Sequence, residues 1–524
     1  MKDKHKNKDK DKCNNLSFQD CELAILRSAV DKAEKKQGAK VLNTPEITQM
    51  ISIVETFLKS KKLICYGGTA INNILPKQAQ FYNKDVEIPD YDFFSYNALK
   101  DAKELCDIFM AHNFVEVEGK AGQHHGTYKV FVNFIPIADI TFIHKKLFLS
   151  LKRETIKVSG ILYSPPNYLR LNMYLELSRP DGDVDRWEKV LKRLSLLNKY
   201  YPLQSHHCDI SNFQRKMDNE EESTHMYEII KTAFIDQGVV FFGGYALSTY
   251  SKYMPYNYRE HVLKIPDFDV FTEEPHKTAL IIQERLMDEN IKHIRVIRHE
   301  AVGSMIAANY EILYNNTDSL AFIYEPVACH SYNIIMERGS KIKIATMDTM
   351  LSFYLAFLYA DRPYYDKDRI LCMSAYLFEV QQSNRLSQQG VLKRFSINCV
   401  GHQETVEEIR AKKSEKFKEL KGQHDNPEYE EWFLRYIPGE QKSRRQGQQG
   451  QQHRPMKTKK HNPNKTNPNK TNPNKTNPKP NPNKTNPNKT NPNPKPTPNK
   501  KTIKNKSEKN TNTGLLDFLK FKDV

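Results

Sequence analysis

Three aspartates have types and spacing suited to binding cations in this 524-residue chain. Asp90 and Asp92 flank Tyr91 in an apolar stretch, 86–94, that predicts a strand, so their side chains share one face. Asp139 is the single acidic residue of a second predicted strand, 135–143. Burying it without a partner would be costly, so we expect it to face a polar site. Three such carboxylates can hold two divalent cations about 3.5–4 Å apart, and oxygen ligands favour Mg²⁺ or Mn²⁺.

A glycine pair precedes the first two aspartates. The apolar run 63–66 ends at Gly67 and Gly68, and residues 69–75 predict a helix that Pro76 closes. A glycine turn at a helix N-terminus lets backbone N–H groups approach phosphate oxygens, and Thr69 adds a hydroxyl donor. A Gly pair alone is more often a simple turn. Followed by the three aspartates, the glycine pair predicts a nucleoside triphosphate site. The sequence contains no Walker A motif, so P-loop hydrolysis is disfavoured.

The same pattern recurs later in the chain. Residues 239–247 again predict strand, Gly-Gly and helix, and 263–271 repeat the Asp-x-Asp strand with Asp267 and Asp269. Matching Pro-Ile-Ala-Asp at 136–139 with Pro-Val-Ala-Cys at 326–329 places Cys329 where the first copy has Asp139. Cysteine is a poor ligand for a hard cation, so we expect the second copy to be degenerate. The alternative is that Glu325 supplies its third ligand.

This duplication predicts an α/β fold with two tandem domains of one architecture, each a small mixed sheet with helices, and the resemblance described below implies that both are of the nucleotidyltransferase type. We place a disordered charged N-terminus at 1–15, a catalytic domain at 16–200 and a degenerate domain with a helical end at 201–440. Helices are expected at 97–112, throughout 165–197, from 342 onward and across 403–440. Thr44 and Pro45 have the residue types that begin a helix.

Residues 441–524 contain 21 Lys and Arg against 3 Asp and Glu, with repeated Thr-Asn-Pro-Asn-Lys units. Such Pro density predicts a disordered coil, and its charge would attract polyanions such as RNA. The remainder is close to neutral. Eight scattered cysteines without a C-x-x-C pair predict neither zinc nor a disulfide framework, and thus a reducing, intracellular compartment. No apolar run reaches the length of a membrane span, so no membrane association is expected.

The wider sequence resembles a known family. Gly-Gly-Thr, Asp-Tyr-Asp and the later strand Asp are similar to the DNA polymerase beta nucleotidyltransferases. The block 174–194, YLELSRPDGDVDRWEKVLKRL, resembles the catalytic subunit of the poly(A) polymerases of large nucleocytoplasmic DNA viruses of the poxvirus and giant-virus type.

The resemblance implies template-independent transfer of AMP from ATP to RNA 3′ ends during mRNA polyadenylation. It implies metal-binding catalytic roles for Asp90, Asp92 and Asp139, and triphosphate contacts from Gly67, Gly68 and Thr69. Viral localisation, in the virion or host cytoplasm, follows from it too. Poxvirus relatives work with a second subunit, so the resemblance allows a partner subunit that confers processivity. A homodimer is the alternative assembly.

Basic residues of the predicted helix around Trp187 are further candidates. Lys189, Lys192 and Arg193 are spaced to share one face, which suits either a solvated surface or a phosphate-facing edge. We include Lys189 and Lys192 among the nucleotide-binding candidates. Two other functions remain open: a different RNA or protein nucleotidyltransferase, such as a 2′-5′ oligoadenylate type, and a non-catalytic RNA-binding scaffold.

Overall fold

The computed structural model describes residues 44–82, 89–205, 208, 220–254, 267–303 and 305–439, and part of 17–33. The chain divides into two compact units, Met1–His453 and Arg454–Val524, and every described residue belongs to the first. The predicted disordered ends, 1–15 and 441–524, therefore lie outside the described residues. The described part is a mixed α/β structure with two eight-stranded mixed sheets.

Within residues 44–205, the described part of the first half has seven strands and six α-helices. The strands are β1 Ile64–Cys65, β2 Tyr91–Ser95, β3 Val117–Ala121, β4 Thr127–Val132, β5 Ile135–Phe142, β6 Ile156–Val158 and β7 Ile161–Tyr163. The helices are α1 Pro45–Lys61, α2 Gly67–Ile74, α3 Ala98–Ala111, α4 Lys145–Arg153, α5 Pro166–Leu177 and α6 Trp187–Tyr200.

The second half follows a similar order of elements, except that no helix corresponds to α4 between its described strands β12 and β13, and it continues further. Its strands are β8 Val240–Phe241, β9 Phe268–Phe271, β10 Ile294–His299, β11 Asn309–Tyr314, β12 Asp318–Tyr324, β13 His330–Glu337, β14 Ser340–Ala345, β15 Cys399–Val400 and β16 Arg435–Tyr436. Its helices are α7 Glu220–Asp236, α8 Gly244–Tyr250, α9 Pro275–Asp288, α10 Met347–Phe357, α11 Lys367–Ser383, α12 Val406–Glu419 and α13 Pro427–Phe433.

The two sheets have the same topology. The first runs β16-β3-β4-β5-β2-β1-β7-β6 and the second β10-β11-β12-β9-β8-β14-β13-β15. Apart from β15 and β16, each strand of one sheet has a counterpart in the other, with the same parallel or antiparallel neighbours. This agreement supports the duplication inferred from the repeated motifs, while the predicted domain boundaries remain predictions.

Several helices form where the sequence predicts them. The side chain of Thr44 accepts a hydrogen bond from the Ile47 amide at 3.5 Å, and Pro45 occupies the first turn of α1. This arrangement satisfies an N–H that has no partner within the helix. Helix α1 buries Val54 and Phe57 in the core above the first sheet. The helix predicted at 97–112 is confirmed as α3.

Three predicted helical segments are wrong in part. The segment 165–197 is two helices, because Pro180 and Gly182 follow the end of α5 and cannot continue it. The segment from 342 begins as strand β14, and α10 starts only after Thr346, whose side chain accepts from the Thr349 amide at 3.3 Å. The segment 403–440 contains α12 and α13 but ends in β16, which pairs with β3 of the first sheet.

The prediction against disulfides is also wrong. Cys208 bonds to Cys372 and Cys329 bonds to Cys399, across 164 and 70 residues of sequence. A search for local C-x-x-C pairs cannot detect partners that only folding brings together. The reducing compartment inferred from the cysteine pattern therefore loses that support.

The structure contains, over its described residues, no helix of the length and apolarity needed to cross a membrane.

Candidate active site

The three aspartates lie on two neighbouring strands of the first sheet. Asp92 is in β2 and pairs in parallel register with Asp139 in β5, while Asp90 immediately precedes β2. The intervening Tyr91 and the following Phe93 are buried, so alternation directs the aspartates away from that core. Sequence reasoning therefore identified three residues that the fold brings to one place.

Burial and mutual repulsion disfavour the ionised form of two carboxyls in this cluster. Burial raises the pKa of Asp92 well above its usual range, and the charges of Asp90 and Asp139 add to the shift. The pKa of Asp90 is raised by loss of hydration and then by Asp139, although this residue is the most exposed of the three. A divalent cation would relieve both effects, so the donor set fits Mg²⁺ or Mn²⁺.

The carboxylate oxygens of Asp90, Asp92 and Asp139 do not all lie within 4.8 Å of one another. In the part of the chain that the structure describes, one trio of acidic, Cys or His ligand atoms lies within 4.8 Å of one another, formed by Asp181, Cys329 and Cys399. Those two cysteines are bonded to each other and are not available as thiolates. The aspartate triad is more open, as mutual repulsion of carboxylates predicts.

Lys129 is a site residue that sequence reasoning missed. It lies opposite Asp139 in β4, and its Nζ is 3.0 Å from Asp139 Oδ2. Lys129, Asp139 and Asp92 thus form a row across three adjacent strands. A single lysine in an alternating strand carries no local signal, and only the strand pairing reveals its position.

The glycine pair packs directly against the aspartates. Gly67 begins α2 with a φ of +71°, a conformation that residues with a Cβ rarely adopt. A Cβ on Gly67 would collide with the Asp92 carboxylate, and one on Gly68 would collide with the Tyr82 hydroxyl. A side chain at either position would therefore displace the carboxylate or hydroxyl that now lies beside it, and the start of α2 lies against Asp92.

Thr69 is buried beneath this turn. Its hydroxyl donates a hydrogen bond of 2.5 Å to the Asp90 carbonyl, which ties α2 to the residue that precedes β2. The hydroxyl proton is therefore used within the protein. Thr69 as a triphosphate donor remains a prediction, and the structure adds a second role in placing Asp90.

Helix α6 turns only part of its predicted basic face toward the site. Arg193 donates to the Tyr82 hydroxyl at 2.7 Å and stacks over Phe81, with 5.1 Å between its guanidinium carbon and the ring centre. Lys189 lies near enough to Asp90 for that charge to act on it, although burial and Arg193 together lower the pKa of Lys189.

Lys192 is placed differently from its neighbours. It pairs with Glu188 at 2.5 Å, and the two side chains are 73% and 80% exposed, so the structure does not bring Lys192 to the aspartates. Arg193 shares the predicted basic face, and the structure places it beside Tyr82 although the nucleotide-binding candidates, Lys189 and Lys192, do not include it. The spacing of four residues from Lys189 was the signal that favoured it.

The second copy does not reproduce the triad. Asp269 pairs with Phe322, the position equivalent to Asp139, so the alignment of Cys329 with Asp139 is wrong. Pro136 lies within β5, whereas Pro326 follows the end of β12, and the similar letters therefore occupy different structural positions. Glu325 is exposed beyond that strand and does not replace the missing carboxylate.

A cation of the protein occupies part of this second site. Arg369 pairs with Asp267 at 2.6 Å, and their side chains are 15% and 3% exposed. A guanidinium in this position neutralises the carboxylate that corresponds to Asp90. The second copy thus lacks a carboxylate at the position of Asp139, and its counterpart of Asp90, Asp267, is already paired with Arg369.

Comparison with known proteins bears on the first half of the chain. Residues 52–183 match the family model described as "Poly(A) polymerase catalytic subunit". The resemblance to viral poly(A) polymerase catalytic subunits is confirmed. All three aspartates and the glycine pair lie within the matched residues.

Individual relatives agree with the family match. A protein named as a poly(A) polymerase catalytic subunit from Acanthamoeba polyphaga mimivirus is 30% identical over 219 residues, covering 40% of this chain and 35% of the relative. One named likewise from African swine fever virus (strain Badajoz 1971 Vero-adapted) is 34% identical over 177 residues, covering 33% and 36%. The matched part thus spans about a third of these curated relatives.

A solved structure extends the likeness in fold to most of the chain. The crystal structure of the Megavirus polyadenylate synthase superposes with a TM-score of 0.68 and 19% identity, covering 83% of this chain and 90% of that one. The shared fold therefore includes both sheets and is not restricted to the segment of clear sequence similarity.

Proposed function

We propose that this protein is a polynucleotide adenylyltransferase, which adds AMP from ATP to RNA 3′ ends without a template and so polyadenylates mRNA. The observation that carries the proposal is the in-register pair Asp92 and Asp139 beside the Gly67–Gly68 turn. It lies in the segment that matches the poly(A) polymerase catalytic subunits.

Two groups of residues would serve phosphoryl transfer, one by binding the triphosphate and one by compensating its charge. The N-terminal amides of α2 at Gly67 and Gly68 offer donors to the triphosphate, and the cations of Lys189 and Arg193 stand on the adjacent helix. Such chemistry depends largely on positioning and electrostatic stabilisation, and it needs no covalent enzyme intermediate.

Asp90, Asp92 and Asp139 would hold two Mg²⁺ or Mn²⁺ ions. Bound there, such ions supply Lewis-acid stabilisation of the phosphates and activation of the attacking hydroxyl. The protein's own part is to hold the three carboxylates in fixed positions, which the strand pairing and the Thr69 contact to Asp90 accomplish.

The wider architecture has proposed roles as well. The two halves represent tandem polymerase-beta-like nucleotidyltransferase domains, of which the second is degenerate and serves as a scaffold. The basic residues of 441–524 would retain RNA electrostatically, and a second copy or a separate subunit would assist processivity. The setting proposed is viral, in the virion or the host cytoplasm.

The proposal is tested by incubating full-length protein with RNA and each labelled nucleoside triphosphate separately. We expect extension with ATP alone, loss of extension by about 10²–10³-fold in Asp139→Asn and in Asp92→Asn, and little change in Asp269→Asn, the counterpart of Asp92 in the second copy. Labelling of another acceptor with no RNA extension would contradict the polyadenylation reaction. Activity retained in Asp139→Asn would contradict the assignment of the site.

A further inference from the structure

Lys129 forms an ion pair with the third carboxylate, and the reaction outlined above gives it no role. Its Nζ lies 3.0 Å from Asp139 Oδ2, and the two side chains are only 26% and 16% exposed. A pair withdrawn this far from water is screened by salt less than a surface pair is. The contact is therefore strong enough to affect whatever else binds Asp139.

The Lys129 charge acts on the entire triad. Burial and the neighbouring carboxylates raise the pKa of Asp90 and of Asp92, and the Lys129 charge opposes both shifts, together with Lys189 for Asp90 and Arg193 for Asp92. Lys129 is thus the shared cationic compensation for three carboxylates that otherwise repel one another. A divalent cation would perform the same electrostatic task at the same oxygens.

An ammonium and a divalent cation cannot both lie against one carboxylate oxygen without strong repulsion. We propose that Lys129 is the protein's own counter-ion for Asp139 and competes with the divalent cation there. Cation binding at the triad is consequently weak until a nucleoside triphosphate arrives, because its negative charge offers the Lys129 ammonium another partner. This inference rests on the proposed function, since it takes the triad as the cation site.

A purely structural role for Lys129 predicts something different. Lys120 lies directly opposite Lys129 in β3 and makes its own ion pair with Glu118 at 2.6 Å. The two lysines thus share strand type and an acidic partner, and they differ in whether that partner belongs to the triad. A structural lysine would leave cation affinity unaltered when replaced, whereas a competing lysine would not.

The test uses Mn²⁺ alone as a probe, titrated into the full-length protein and followed by the loss of the free-ion electron paramagnetic resonance signal. We expect Lys129→Met to bind Mn²⁺ about tenfold more tightly than the unaltered protein, and Lys120→Met to match it. Asp139→Asn should lose this binding. A non-transferable ATP analogue should reduce the difference between Lys129→Met and the unaltered protein.

Equal or weaker Mn²⁺ binding by Lys129→Met would overturn the inference. Thermal melting checks that the variant is folded, and Lys129→Gln provides a second neutral replacement should the first fail to fold. The two proposals fail separately. RNA extension by the unaltered protein without tighter Mn²⁺ binding in Lys129→Met removes only the competition, while tighter binding without RNA extension removes only the polymerase assignment.

Discussion

At the scale of single residues, the aspartates are placed for function at a cost in stability. Asp92 is ionised with difficulty, because burial and two nearby carboxylates raise its pKa. A folded-state pKa above the unfolded value means that the folded protein binds the proton more tightly. Stability in the absence of metal therefore falls as pH rises from the unfolded pKa through the folded one.

Asp92→Asn should consequently raise the melting temperature of the metal-free protein at pH 7, while abolishing transfer. The gain should shrink as pH is lowered, because Asp92 then becomes protonated and neutral in the unaltered protein as well. Thermal melts in chelator at pH 5 and pH 7 measure both. A lower melting temperature for the variant at pH 7 would contradict the electrostatic account.

The candidate catalytic residues could be predicted where a local sequence pattern marked them. Asp90 and Asp92 follow strand alternation, and Asp139 is conspicuous in an apolar strand. Lys129 was not predictable, because a lysine in an alternating strand is ordinary until its neighbour across the sheet is known. Lys192 and Arg193 are adjacent in sequence, and only the packing of α6 distinguishes the exposed residue from the one beside Tyr82.

At the scale of elements, the turn between β1 and α2 combines two constraints on one glycine. Gly67→Ala would meet both a φ of +71° and the Asp92 carboxylate. We expect a loss of about 2–3 kcal/mol in the free energy of unfolding, of which about 1 kcal/mol is the backbone conformation. Chemical denaturation with activity measurements checks this.

Gly339→Ala is the matched control for that substitution. Gly339 has a φ of +86°, and a Cβ there would meet nothing within 4 Å, so it isolates the backbone contribution. Its destabilisation should be about 1 kcal/mol, with RNA extension retained. Equal losses at the two positions would show that the carboxylate contact is unimportant.

Element positions were predictable from apolar periodicity, but the alignment of the two copies was not. Phe322 occupies the position of Asp139 in the second copy, and a phenylalanine in an apolar strand gives no sequence signal. The proline at 326 suggested a match that the strand boundaries contradict. The correct register required knowing which residues hydrogen-bond across β9 and β12.

At the scale of the whole molecule, a buried polar network joins the two halves. Tyr174 of α5 donates to Gln381 of α11 at 3.0 Å, and Asp348 of α10 accepts from Arg394 Nε at 2.9 Å. Asp348 is fully buried, so its charge depends on the Arg394 guanidinium. Such a pair is costly to break from one side because the remaining charge stays buried.

Arg394→Met should lower the free energy of unfolding by about 3–5 kcal/mol, since it leaves the Asp348 carboxylate without its main cation. The control is Arg298→Met, whose ion pair with Glu300 has side chains 51% and 73% exposed. That change should cost less than about 1 kcal/mol. Urea denaturation of both variants provides the comparison, and similar costs would contradict the network's importance.

The long-range arrangement was the least predictable from sequence. The duplicated motifs indicated two similar sheets, and the strand orders agree with that. The pairings of Cys208 with Cys372 and of Cys329 with Cys399 had no sequence signal, because each depends on chain segments that meet only after folding.

Strand β16 has a consequence for the order in which the protein is made. Arg435 and Tyr436 complete the edge of the first sheet against Lys120 and Gly119, although more than 300 residues separate them along the chain. During synthesis the catalytic half therefore emerges with its β3 edge uncovered, and remains so until the second half has been translated. A truncated chain ending near residue 200 would keep that edge open permanently, which makes it prone to aggregation however complete its active-site residues are.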